Sequence, residues 1–188
     1  MLLVALAMMM EKKVKFKCEQ HRHYTTMKQQ KARKDIVVMV SGGFDPVHIG
    51  HLRMLNDAKA LGDKLIVVVN NDHWLLKKKG FAFMPQEERK EILEGFRAVD
   101  EVVFTSHPPD PTDMSVCAEL ERIRPDIFAN GGDRDVQNAH TQGSSLKPEY
   151  ELCDRLGITM VFNVGRGGKV HSSSDLVRRA RKLATKKH

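Results

Sequence analysis

Cysteine, tryptophan and long apolar runs are scarce in this chain. Its three cysteines, Cys18, Cys117 and Cys153, are odd in number and show no paired spacing. That excludes a disulfide framework and points to a reducing compartment, the cytoplasm by default. Cys18 stands near His21 and His23, but structural zinc takes four ligands and a fourth is missing. No protein-held metal is expected there. The longest apolar run, MLLVALAMMM at residues 1–10, is half of the roughly 20 residues that span a bilayer. It has no basic region before it and no small-residue cleavage site after it, so it does not read as a secretory signal. Internal repeats are absent, and no low-complexity segment follows the N-terminal arm.

The basic excess sits at the two ends. The net charge is +7, and residues 1–34 carry nine Lys/Arg against two Asp/Glu, or +7 by themselves. Residues 35–163 hold 14 basic and 21 acidic side chains, and residues 164–188 hold eight and one. The basic excess is therefore not a property of the body, and nucleic acid is not the expected partner. Residues 1–34 read as a flexible basic extension, with Met27 as an alternative natural start. Residues 35–188 read as one domain, with length enough for a continuous core.

Along that body, strand and helix patterns alternate. Apolar, β-branched runs at residues 36–41 and 64–69 suit buried parallel strands. Further strands are expected at 100–104, 126–129 and 159–164. Helical spacing covers residues 49–61, which Gly62 should stop, and residues 85–97, with Pro85 in the opening turn. Helices are also expected at 112–122, capped by Thr112 or Asp113, at 148–156, and from Ser172–Ser174 through the basic tail. Lys77, Lys78 and Lys79 fall in a Lys-rich loop. The order predicts an α/β, doubly wound, Rossmann-like sheet of about five parallel strands. In such sheets a ligand binds beyond the carboxyl ends of the strands, at the switch point.

The sharpest chemical signal lies at that place: Gly42-Gly43-Phe44-Asp45-Pro46-Val47-His48-Ile49-Gly50-His51. Glycines let backbone approach a triphosphate, and a helix N-terminus attracts an anion. His48 and His51, three residues apart, can face one side of the helix start. Two imidazoles there can donate to phosphate oxygens as transition-state charge develops. Gly50 between them removes a side chain that would crowd a nucleotide.

With this His-x-Gly-His after the first strand, the chain resembles the cytidylyltransferase-like nucleotidylyltransferases over roughly residues 36–178. The resemblance implies roles for further segments. Lys79, directly before Gly80, matches a lysine of a mobile loop that reaches the triphosphate. Arg89, in Glu87-Glu88-Arg89, matches an arginine linked to phosphate or acceptor contacts. Asn130-Gly131-Gly132-Asp133-Arg134 matches the segment that lines the base pocket, with Gly132 in place of a commoner His; Arg134 joins Arg89 and Arg178 as a candidate phosphate or acceptor contact. Ser172, Ser173 and Ser174 match hydroxyls that hold the outgoing phosphates at the start of the last helix, with His171 in place of the usual Ile.

The activity implied is in-line attack of an acceptor phosphate on the α-phosphorus of a nucleoside triphosphate, with release of pyrophosphate. His48, His51 and Lys79 are then the catalytic candidates. Gly42, Gly43, Phe44, Asp45, Gly50, Gly131, Gly132, Asp133 and Ser172–Ser174 are the nucleotide-binding ones. Mg2+ accompanies the triphosphate, and the partners are that nucleotide and a phosphorylated small molecule; a homodimer is compatible with the pattern. Residues 59–70, with Arg124-Pro125-Asp126 and Gly131-Gly132-Asp133, are similar to heptose-phosphate adenylyltransferases. Cytidylyltransferases of phosphoalcohols share such stretches, so AMP and CMP transfer both stay open. A non-catalytic nucleotide-binding module is the remaining alternative. Trp74, the only tryptophan, lies near the Lys triplet and is a candidate wall for the acceptor.

Overall fold

The computed structural model describes residues 34–132, 144, 146–165 and 173–185. The N-terminal extension, with Cys18, His21, His23 and Met27, lies outside them, as do Asp133, Arg134, His171 and Ser172. Residues 35–188 form one compact unit. Its described elements run β1 (Val37–Gly42), α1 (Ile49–Lys59), β2 (Lys64–Val69), α2 (Asp72–Lys79), α3 (Gln86–Glu94), β3 (Glu101–Phe104), α4 (Cys117–Ile123), β4 (Ile127–Gly131), α5 (Leu146–Leu156), β5 (Thr159–Val164) and α6 (Ser173–Thr185).

The five strands form one parallel sheet in the order β3-β2-β1-β4-β5. Alternation along each strand divides the core between two faces. Val38, Val40, Leu65, Val67 and Ala129 pack with Leu55 and Ala58 of α1 and Leu93 of α3. Met39, Val68 and Phe128 pack on the other face with Leu120 of α4 and Leu152 and Cys153 of α5. This is the doubly wound α/β architecture that the sequence predicts. Strand order reverses between β1 and β4, so the crevice beyond their carboxyl ends is the switch point. Among the described residues no helix is long and apolar enough to cross a membrane.

Several boundaries differ from expectation, the helix expected at 85–97 ending at Glu94 among them, and three differences have clear local reasons. The helix expected at 112–122 begins only at Cys117, because Asp113 Oδ1 accepts from Ser115 N–H at 2.8 Å and closes a turn there. The helix after β1 ends at Lys59. A Cβ on Gly62 would lie 2.7 Å from the Ile36 carbonyl oxygen, so that glycine serves a close backbone approach more than a helix stop. The third difference concerns the Lys triplet, which closes a helix and is not a loop.

Candidate functional site

The chain leaves β1 at Gly42 and reaches α1 through six residues. Phe44 adopts φ 51°, and the Asp45–Pro46 peptide is cis. His48 is the N-cap of α1, with extended φ −149° and ψ 173°. Its Nδ1 accepts from Gly50 N–H at 3.1 Å, while His51 Nδ1 accepts from His48 N–H at 3.3 Å. The two histidines thus form a reciprocal capping box, a task usually given to Ser/Thr and Glu. Their rings stack with centroids 3.8 Å apart and planes 20° apart.

This geometry decides the protonation state. Each Nδ1 accepts a backbone N–H, so each neutral ring carries its proton on Nε2. Burial pushes the His51 pKa down to about 3, with the neighbouring His48 and Lys79 adding in the same direction. His51 is therefore an uncharged Nε2–H donor throughout the physiological range. Phe44 is buried and stands edge-on to the His51 ring at 4.9 Å, so its ring supports the histidine. The role of Gly50 is equally local. A Cβ there would sit 2.9 Å from His48 Cε1, so the space that it clears is taken by the His48 ring. The reading of Gly50 as room for the nucleotide is corrected accordingly.

Lys77, Lys78 and Lys79 form the last turn of α2, whose N-cap Asn71 accepts from Trp74 N–H at 3.0 Å. Gly80 ends the helix in the left-handed region, φ 78°, with its N–H on Leu76 O. The three lysines diverge. Lys77 pairs with the exposed Asp110 at 2.6 Å. Lys79 Nζ donates to the Asp45 carbonyl at 3.1 Å and lies 3.9 Å from its carboxylate. Burial holds the Lys79 pKa below its usual range, Asp45 opposes that and Arg89 reinforces it. Lys78 and Lys79 line a cavity of about 360 Å³ with Phe81, Ser174, Val177 and Arg178. Ser173 Oγ donates to the Pro46 carbonyl at 3.0 Å, which ties the start of α6 to the strap before His48. Arg178 pairs with Asp175 at 2.7 Å. The structure thus gathers Lys79, Ser174 and Arg178, beside the His pair; Phe81 and Val177 have no sequence signal.

Two predicted contact residues face inward. Arg89 is fully buried. Its guanidinium donates to Met84 O at 3.1 Å, Gly43 O at 2.6 Å, Asn70 O at 2.8 Å and Asp72 Oδ1 at 2.6 Å. The expectation that it meets phosphate or acceptor is corrected: it staples the end of β2 to the strap after β1. Asp45 is 1% exposed, and its two oxygens accept from Met84 and Phe83 N–H. It therefore binds protein amides where the sequence suggests a nucleotide ligand. Gly42 and Gly43 flank this strap, with Phe44 and Leu75 against the positions their side chains would take.

At the end of β4, a Cβ on Gly131 would lie 2.5 Å from Met54 Sδ. Met54, one turn beyond His51 on α1, fills the place that a side chain at position 131 would take. Gly132, φ 79°, has nothing within 4 Å of its Cβ position among the described residues. Trp74 Nε1 donates to Met114 O at 2.9 Å, and its ring approaches the Gly43 Cβ position at 4.0 Å. It bridges α2 to the β3–α4 connection on the β2 side of the switch point.

Among the described residues no group of three or more His, Cys, Asp or Glu side chains converges as a metal site. Asp45, the carboxylate nearest the histidine motif, has both oxygens engaged. Asp45 therefore offers no free carboxylate oxygen to a cation.

A model of the cytidylyltransferase-like family matches residues 39–179, and the chain belongs to that family. It is 40% identical over 106 residues to an FAD synthase of Thermococcus kodakarensis (strain ATCC BAA-918 / JCM 12380 / KOD1), across 56% of this chain and 68% of that protein. Over 115 residues it is 40% identical to the bifunctional protein HldE of Shewanella sp. (strain ANA-3), across 60% of this chain and 23% of that one. A lipopolysaccharide core biosynthesis protein from Thermoplasma volcanium GSS1 has a crystal structure that aligns with TM-score 0.54 and 25% identity, across 69% of this chain and 95% of that chain. The chain is a nucleotidyltransferase that transfers a nucleotide from a nucleoside triphosphate to a phosphorylated small molecule.

Proposed function

We propose that the chain adenylylates flavin mononucleotide, using ATP to make FAD. The observation that carries the reading is the 40% identity to an FAD synthase over a stretch that is 68% of that protein. FAD is flavin mononucleotide joined to AMP through a pyrophosphate link, so building it from ATP is the transfer this family fold serves. A phosphate oxygen of the acceptor attacks the α-phosphorus. The bond from that phosphorus to the bridging oxygen breaks, and pyrophosphate leaves with the electron pair.

The roles follow from the donor geometry. The Nε2–H groups of His48 and His51 meet oxygens of the transferring phosphate. Being neutral and fixed by their Nδ1 contacts, they stabilise developing charge without reorganising. The start of α1 adds its partial positive charge. Lys79, Ser174 and Arg178 take the leaving pyrophosphate in the cavity they line. Gly132, directly after β4, borders the base. Trp74, Asn71 and the β3–α4 connection are on the acceptor side, opposite the leaving group. Mg2+ enters with the triphosphate. Catalysis is positioning and charge stabilisation, with no covalent enzyme intermediate.

A pyrophosphate-release panel tests this, crossing ATP, CTP, GTP and UTP with flavin mononucleotide, a heptose 1-phosphate and glycerol 3-phosphate. ATP with flavin mononucleotide should turn over fastest and yield FAD. Turnover confined to CTP would refute the adenylyl assignment. A second reading, a sugar-phosphate acceptor, is favoured by the alignment covering 95% of the lipopolysaccharide core biosynthesis protein. ATP turnover with the heptose phosphate alone would establish it.

A further inference from the structure

Asp45 sits in the strap before the histidines, yet its hydrogen bonds reach forward in the chain by nearly 40 residues. Oδ1 accepts from Met84 N–H at 2.7 Å and Oδ2 from Phe83 N–H at 2.9 Å. Its carbonyl accepts from Lys79 Nζ at 3.1 Å. Within the same strap the Gly43 carbonyl accepts from Arg89 and the Pro46 carbonyl from Ser173. The strap is thus bonded on one side to the segment carrying Lys79 and on the other to the first residue of α6. Lys79 ends a helix at a left-handed glycine. The helix alone does not fix the course of residues 80–84, and the Asp45 carboxylate clamps their far end.

We propose that Asp45 is a positioning residue for nucleotidyl transfer, which sets Lys79 against His48 and His51 by clamping the segment behind it and facing its ammonium. The inference rests on the nucleotidyl-transfer reading. The charges around Lys79 make Asp45 hard to replace. Arg89 faces it from α3, neutral His51 from α1, Lys78 from its own helix and Arg178 from across the cavity. The nearby carboxylates Asp72 and Asp175 are paired with Arg89 and Arg178. Asp45 supplies opposite charge to Lys79 while its two oxygens hold two amides. An asparagine offers one carbonyl oxygen and turns an NH2 toward the second amide.

The test is a double-mutant cycle in the full chain between Asp45→Asn and Lys79→Met, read by kcat, nucleotide Kd and the Lys79 side-chain titration followed by NMR in the free protein. Asp45→Asn should lower kcat on the order of 10–100-fold, the scale of a misplaced catalytic group, with a far smaller change in Kd. In the Lys79→Met background the same substitution should add almost nothing. Lys79 should titrate at lower pH in Asp45→Asn than in wild type, because the facing carboxylate charge is gone; the vanishing kcat effect in the Lys79→Met background is the result that a merely structural role would not produce. Phe83→Pro, which removes one clamping N–H and keeps the carboxylate, serves as the second variant should Asp45→Asn not fold. Its kcat loss should likewise vanish in the Lys79→Met background. Equal kcat losses in both backgrounds, or an unmoved Lys79 titration in Asp45→Asn, would overturn the proposal. A wild-type chain that releases no pyrophosphate from any pair would overturn the functional reading instead, leaving the titration to decide the Asp45–Lys79 link.

Discussion

His48 has two tasks on two ring nitrogens, and a pair of substitutions separates them. Nδ1 caps α1 through Gly50 N–H, and Nε2 carries the proton assigned to phosphate. Alanine removes both. Asparagine is among the best N-cap residues, and its Oδ1 can accept the same N–H, but its shorter side chain cannot bring a donor to the Nε2 position. His48→Ala should therefore lose about 1 kcal/mol of stability, the usual cost of a lost cap. For a domain of this size that is roughly 2–4 °C in Tm. His48→Asn should stay within about 0.5 kcal/mol of wild type. Turnover should fall alike in both, by roughly 100–1000-fold, the effect of deleting one preorganised donor of about 2.7–4 kcal/mol. Urea unfolding gives the first quantity and steady-state pyrophosphate release the second. An Asn variant as active as wild type would refute the Nε2 assignment, and one as unstable as the Ala variant would refute the cap.

The other predictions address neighbouring groups. His51 has its folded pKa depressed from 6.5 to about 3, so the unfolded chain binds its proton first. The stability contribution is intact above pH 6.5 and falls as pH drops toward 3, by at most about 1.4 kcal/mol per unit; an NMR titration placing His51 near 6 would contradict this. Lys79→Ala should lower kcat more than it weakens nucleotide binding, whereas Lys77→Ala, which breaks an exposed pair, should change stability by less than about 1 kcal/mol and leave kcat alone. Kinetics and nucleotide titration on both variants check the contrast. Arg89→Ala should cost about 3–5 kcal/mol by leaving buried partners unpaired, measured by denaturation; a well-folded variant with only acceptor affinity lost would restore the phosphate role. Gly131→Ala should destabilise by about 1–3 kcal/mol through overpacking against Met54, and Met54→Ala should recover part of that in the double variant.

The sheet is legible from the sequence because buried parallel strands need continuous apolar runs. KLIVVV and TMVFNV match β2 and β5 to the residue. Helix α2 is not legible, because its eight residues, DHWLLKKK, have almost no apolar periodicity and bury only Leu75. It is held by its caps, Asn71 and Gly80, and by Trp74 reaching Met114. Caps of that kind are visible in a sequence only once a helix is already suspected between them. The start of α4 fails for the opposite reason: Asp113 is a good cap residue, and the fold uses it to close a turn instead.

At the site, residue type predicts chemistry better than direction. Glycines, histidines, a lysine and hydroxyls at a switch point signal a phosphate, and the structure brings His48, His51, Lys79 and Ser174 to one side of the fold. Asp45 and Arg89 belong to the same motifs and carry the charges expected of ligand contacts. Both are buried in the protein, where their polar atoms pair with backbone groups of three neighbouring segments that need partners. Arg89 satisfies the carbonyls of residues 43, 70 and 84, and Asp45 the amides of 83 and 84. A buried guanidinium and a buried carboxylate thus hold together the strap, the end of β2 and the segment after α2. The sequence marks both as charged groups within the motifs, and only the hydrogen bonds show what they hold.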